Sequence, residues 1–196
     1  MPIKLNGATS GSVELDVPDV VGSDVQNVLL PSTAGTLDRL ERAGNILQVV
    51  QSAYTGTATT NSSSFQNTGL EVTITPSSTS SKILLVTSFF FGQSRSPSLT
   101  QNNMKVFTIY RDAINIAPGN QFLQHQDQDS SNINWQEQTS DCAITYLDTP
   151  STTSATTYRL KMQTDAAEVT LHFNRRAHGG GANPGCAVMV AMEVAG

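Results

Sequence analysis

Two short stretches and one aromatic residue carry the side chains most able to do chemistry. In HQDQD, His125, Asp127 and Asp129 alternate with glutamines, so an extended backbone would turn all three to one side and offer nitrogen and oxygen ligands together. In an amide-rich loop the leading reading is a solvated polar segment, and a metal ion held on a symmetry axis is the alternative. In RRAHGGGANPG, Arg175, Arg176 and His178 precede three consecutive glycines, which permit backbone shapes closed to other residues. That loop is either a flexible hairpin end or a distal tip that touches a ligand or a neighbouring subunit. Trp135, the single tryptophan, lies among amides in NINWQEQ; a lone tryptophan is most often partly core, and contact with an apolar sugar face or a protein interface, as met beside Asn and Gln, is the alternative.

None of these amounts to an active site. The chain has no GxSxG elbow, no HExxH, no Walker loop and no GxGxxG. A polysaccharide-degrading or peptidase domain would need an acid pair or an activated nucleophile, and neither stands out. No catalytic, cofactor-binding or metal-ligating residue is therefore assigned, and the chain is expected not to be an enzyme. His125, Asp127, Asp129, Trp135, Arg175, Arg176 and His178 are kept as ligand or interface contacts. His172, between Leu171 and Phe173 in an alternating run, is expected at the surface. Cys142 and Cys186 have no CxxC context and are expected as small apolar groups or plain thiols, with one long-range disulfide as the alternative.

The elements that would position these residues are strands. In LEVTITP, Leu70, Val72 and Ile74 alternate with polar residues, Pro76 ends the ladder, and Ile83 to Phe91 follows as an apolar run rich in β-branched and aromatic residues. The pair predicts a hairpin at the centre of a sheet. Further strands are expected at Ile46 to Val50, Met104 to Arg111, around Ile144 and Tyr146, at Tyr158 to Met162, at Val169 to Phe173, and at Ala187 to Val194, the last beside or opposite the first. That makes about eight strands. The stretches TGTATTNSSS (residues 55–64) and GQSRSPSLTQNN (residues 92–103) read as polar loops, and Ala113 to Gln138 as a long irregular region. The fold class is all-β, an antiparallel β-sandwich or jelly-roll head preceded by an extended N-terminal arm and a short helical neck.

Composition supports this division. The 196 residues suffice for one core, so a main domain with an appendage is expected. Charged residues are 14% of the chain, a level that suits a surface of small hydroxyls and amides and not a helical bundle held by ion pairs. Residues 1–37 are short strand-like pieces broken by Gly and Pro, an arm that needs partners to pair with. Residues 38–44 are the neck, with Thr36 as cap and Gly44 as stop. Residues 45–196 are the head. A net charge of −5 offers no field for a phosphate backbone, so direct nucleic-acid binding is not expected. No run reaches the length of a signal sequence or a membrane span, which predicts synthesis in the cytoplasm without membrane insertion.

The segments LNGATSGSVEL, LPSTAGTL, GNILQVVQ, TGLEVTITPSSTSSKILLV, YLDTPSTTSATTYRLKMQ and VMVAMEVAG, in that order, resemble fibre or appendage structural proteins of tailed phages, especially marine, cyanophage-like ones. The resemblance covers most of the chain and rests on structural signatures. It implies a homotrimeric virion protein, assembled in the host cytoplasm, whose N-terminal arm joins other virion proteins and whose head contacts a host-surface glycan or protein. The chain has no long shaft. A short fibre or appendage is the leading expectation, and a capsid decoration protein that stabilises the shell is the alternative.

Overall fold

The computed structural model describes residues 3–6, 12–15, 42–95, 103–127, 137–165, 167, 169–177 and 184–196. Among them every regular element is a strand. The chain divides into two units, Met1–Asp38 and Arg39–Gly196. In the first, β1 (Ile3–Asn6) and β2 (Ser12–Leu15) pair antiparallel, with Ile3 opposite Leu15 and Asn6 opposite Ser12. The helix expected in the neck falls mostly outside the described residues. Where it would end, the chain makes a turn: Asn45 N donates to Arg42 O at 3.0 Å, and Gly44 has φ of 90°, a conformation that glycine adopts without a Cβ clash.

Over its described residues the second unit is an antiparallel sandwich of eleven strands, β3 to β13. One sheet contains β3 (Ile46–Tyr54), β13 (Ala187–Val194), β6 (Lys82–Arg95), β12 (Val169–Phe173) and β4 (Ala58–Thr60) in that order, with β10 (Glu137–Asp148) also paired to β6. β10 runs along β6 from Ile83 to Ser94, so β13 and β12 share the opposite edge of β6, one after the other. The other sheet runs β5 (Gln66–Ile74), β11 (Thr156–Thr164), β7 (Asn103–Arg111) and β8 (Ile114–Asn115), with β9 (Leu123–Asp127) also on β7. As expected, the closing strand β13 lies beside β3.

Alternation dictates which side chains meet between the layers. Leu70, Val72 and Ile74 of β5 and Leu160 and Met162 of β11 are buried, as are Ile83, Leu85, Phe89 and Phe91 of β6. Phe107 of β7 joins the layers, its ring centroid 4.8 Å from Phe89 and 5.1 Å from Phe91.

The central hairpin does not form. β5 and β6 both bury the faces the sequence marks as dry, but they belong to different sheets. Periodicity identifies a dry face and not the sheet that carries it. The link between them is tied down elsewhere: buried Glu193 of β13 accepts from Ser77 N at 2.7 Å, Ser77 Oγ at 2.6 Å and Gln48 Nε2 at 2.6 Å. Burial pushes the Glu193 carboxyl up, but hydrogen bonds from the Ser77 side chain, Gln48, Ser81 and the Ser77 backbone outweigh it and pull it down to about 2.

Two expected loops also contain strand. Within residues 55–64, β4 pairs with β12, Thr60 opposite Leu171, because threonine's β-branching suits an edge strand whatever its polarity. β6 continues through Gly92 to Arg95, since β10 and β12 both supply ladder partners there. The irregular region from Ala113 holds β8 and β9.

Candidate functional site

β6 has two distinct ends. At its Lys82 end the second unit begins and the chain finishes: Gly44 N donates to Ala195 O and Ala195 N to Asn45 O, each at 2.8 Å, and Val194 pairs with Lys82. At its Arg95 end, β12 pairs beside β6 and the backbone after it passes over the outer face of the sheet. A group of chemistry-bearing side chains that the sequence marks, with Ser94 and His172 beside it, lies at that second end.

There Phe173 ends β12, and Asn174 turns the chain in the left-handed region at φ 57°, a conformation asparagine tolerates. Its backbone N donates to Phe90 O at 2.9 Å, and Nδ2 donates to Tyr54 O, Gly56 O and Gly185 O at 3.1, 2.9 and 2.9 Å. One side chain thus stitches the end of β3 to both stems of the glycine-rich loop. The backbone of residues 175–177 then passes over Gly92, so close that a Cβ there would meet Ala177 N at 2.6 Å and Arg175 O at 2.7 Å. This is the physical reason for a glycine inside a strand.

Under that backbone lies His172. Alternation correctly turns it away from the core, yet it is buried and not at the surface, because residues 174–177 fold back over it. Arg175 Nη2 is 2.8 Å from His172 Nδ1, and Ser94 Oγ is 2.9 Å from His172 Nε2. A serine against the Nε2 of a histidine invites comparison with a hydrolase, but the polarity is reversed. A guanidinium can only donate, so Nδ1 must accept and Nε2 carries the proton, which it donates to Ser94 Oγ. A catalytic histidine needs the opposite: an acceptor such as a carboxylate at Nδ1 and a bare Nε2 to take the serine proton. The trio is a structural bracket.

The other expected contacts divide three ways. His125 is on β9, packed edge-on against Phe91 with ring centroids 5.6 Å apart, which brings it to the same end of β6 as Arg175. Arg175 is partly buried on His172 and Arg176 is exposed. Asp127 ends β9; Asp129, Trp135 and His178 lie outside the described residues. Among the described residues no group of three or more His, Cys, Asp and Glu is placed to hold a metal ion. Cys142 and Cys186 are free thiols, so the alternative of a disulfide between them is not realised. Burial, and then the neighbouring Asp141, push the Cys142 thiol up to about 11.

Sequence reasoning missed Ser94 and His172 because the first lay in a stretch read as loop and the second on a face read as wet. The glycine in FFFGQS was the available signal, since glycine within an apolar strand marks close backbone approach. Elsewhere, an open cleft of about 330 Å³ at the Lys82 end is lined by Leu47, Ala195, Gly196 and serines, among them Ser77 and Ser81, with no acid, base or thiol side chain in its walls.

No known protein family matches the chain, and no curated protein matches it. Among solved structures, that of the infectious bursal disease virus Gt strain is 16% identical with a TM-score of 0.30, covering 97% of this chain and 44% of that one. The crystal structure of the infectious bursal disease virus VP2 subviral particle is 15% identical with a TM-score of 0.25, covering 95% of this chain and 44% of that one. This chain spans less than half the length of either, and overlap this loose transfers no role.

Proposed function

We propose that this chain is a non-catalytic structural protein of a virion, a short fibre or appendage subunit whose arm joins the particle and whose far end meets the outside. The observation that carries this reading is the polarity of the second unit. The second unit is entered at the Lys82 end of β6, while Arg175 and Arg176, on the outer face of the sheet, and His125, packed on core-side Phe91, lie toward the Arg95 end. At the usual strand rise, fourteen residues separate those ends by roughly 40 Å. The sequence resemblance to phage appendage proteins agrees with it, and so does the use of the polar clusters as brackets between strands. Homotrimer formation through the arm and neck is part of the reading, since pieces that short need partners to be stable.

The second reading, a decoration protein that stabilises a capsid shell, is favoured by one feature: the sandwich starts directly after the Arg42–Asn45 turn, so its first strand follows without a described spacer. Deleting residues 1–41 tests the shared premise. The shortened protein is expected to stay soluble and to be absent from purified particles; normal occupancy would overturn the assigned polarity. Imaging labelled particles then separates the two readings by position, at the tail or an appendage against spread over the shell.

A further inference from the structure

We propose that the outer face of the six-stranded sheet pairs with the same face of a second copy of this chain, the strand ends reversed. The inference goes beyond the function proposed above and does not depend on it.

The face is built by the outward positions of four neighbouring strands, β3, β13, β6 and β10. One row across it is Val49, Met192, Leu84 and Leu147; the next is Gln51, Val190, Val86 and Thr145. On β13 the pattern is strict, since Met189 and Ala191 are fully buried in the core while Val188, Val190, Met192 and Val194 look outward and are partly exposed. A strand packed on one side alone would carry polar residues at those positions, as β5 does with Asn67, Glu71 and Thr73. Val49 and Leu147 are 57% and 46% exposed, a large apolar residue at each flank of the row. An apolar face this continuous marks an interaction surface.

The charges on it select the occupant. Along the rows from Lys82 to Asp141 no other charged side chain points outward: Lys82 stands at one end of β6, and Asp141 of β10 lies opposite Phe90 at the other. A two-fold axis in the plane of the face and perpendicular to the strands sets Lys82 of each copy over Phe90 of the other, one strand from Asp141. The lysine stem then covers an aromatic ring while its ammonium meets a carboxylate, twice by symmetry. The axis along the strands would instead bring like ends together and leave both charges unmatched. Four strands about 4.8 Å apart and eight steps of about 3.3 Å give a patch near 500 Å² per copy, about 1,000 Å² in all, the lower bound for a specific interface.

Face pairing alone makes dimers, and combined with three-fold arms it makes hexamers, so the number of chains must be even. The test is sedimentation of the full-length protein at tens of micromolar, with Val190→Lys and, in case that variant fails to fold, Leu147→Lys on the exposed flank, each checked for a β-type circular dichroism spectrum. The expected result is an even-numbered wild-type assembly and a mass halved in the folded variants. A wild-type mass of one or three chains, or folded variants that keep the wild-type mass, overturns the proposal. Charge reversal tests the ends: Lys82→Asp and Asp141→Lys are each expected to weaken pairing about tenfold, and the double swap to restore it. No restoration in the double swap overturns the reversed arrangement.

Discussion

The Tyr158 hydroxyl donates to Asp148 Oδ2 at 2.8 Å, joining a strand of the five-stranded sheet to the last residue of a strand in the six-stranded one. Arg111, opposite Tyr158 on β7, holds both oxygens of the same carboxylate, at 3.0 and 2.8 Å. Tyr158 is fully buried, and burial first, then the bond to Asp148, raises its phenol pKa far above the usual value. The phenol is thus a fixed donor at any pH the protein meets.

Tyr158→Phe removes that donor while keeping the ring, and should cost about 1–2 kcal/mol. Asp148→Asn should cost more, roughly 2–3 kcal/mol, because it weakens the bonds to Arg111 as well. The double variant should lose less than the sum. Urea unfolding of the four proteins gives the coupling, and strict additivity would show that the three groups do not act as one bracket.

Glu193 sets the acid limit of the fold. Its carboxyl falls from 4.5 to about 2 on folding, so the folded state binds the proton more weakly than the unfolded chain does. The stabilisation is complete above the unfolded value and is lost as pH falls from about 4.5 towards 2, amounting to of order 3 kcal/mol. Thermal melts of wild type should show that acid-side loss. Glu193→Gln, which cannot accept all three donors, should melt lower at pH 7 and show a flatter acid limb; an unchanged limb would assign it to other carboxylates.

Gly92→Ala places a methyl group against the backbone of residues 175–177, which has no flexible end to swing aside. The expected cost is about 2–3 kcal/mol. Its local signature is release of the backbone at Arg175 and Arg176: trypsin should cut there faster in the variant than in wild type under native conditions, before any global unfolding. Equal cutting rates would mean that the backbone is not held down over β6.

The two thiols should differ in reactivity. At pH 7.5 the exposed Cys186 is expected to take up a maleimide at once, whereas Cys142, half-buried and with its thiol pushed up to about 11, should react far more slowly until denaturant is added. Equal rates in the folded protein would contradict the placement of Cys142 against the core.

Much of the strand pattern was legible because burial leaves a two-residue signature, as in Leu70, Val72 and Ile74 or in Val169, Leu171 and Phe173. The partners of those strands were not legible. A dry face on β5 faces an equally dry β6 whether the two lie side by side or across the core, and the pairing of β5 with β11 and of β6 with β10 and β13 places them in different sheets. The candidate site was half legible for a related reason. Arg175 and Arg176 stood out by composition, but their neighbours Ser94 and His172 reach them through backbone passing over Gly92, a relationship between distant segments that local pattern does not encode.

The crossing of the β5–β6 link from one sheet to the other also governs how the chain can fold. A local hairpin would offer an early nucleus, formed within microseconds and independent of the rest. Here β5 waits for β11, and β3 waits for β13, among the described strands of the unit the furthest from it in chain order. Ordering must therefore be late and highly non-local, with rates in the slow range typical of β-sandwiches. The outward valines of β13 therefore reach their places only when β3 and β6, far earlier in the chain, have closed on either side of it.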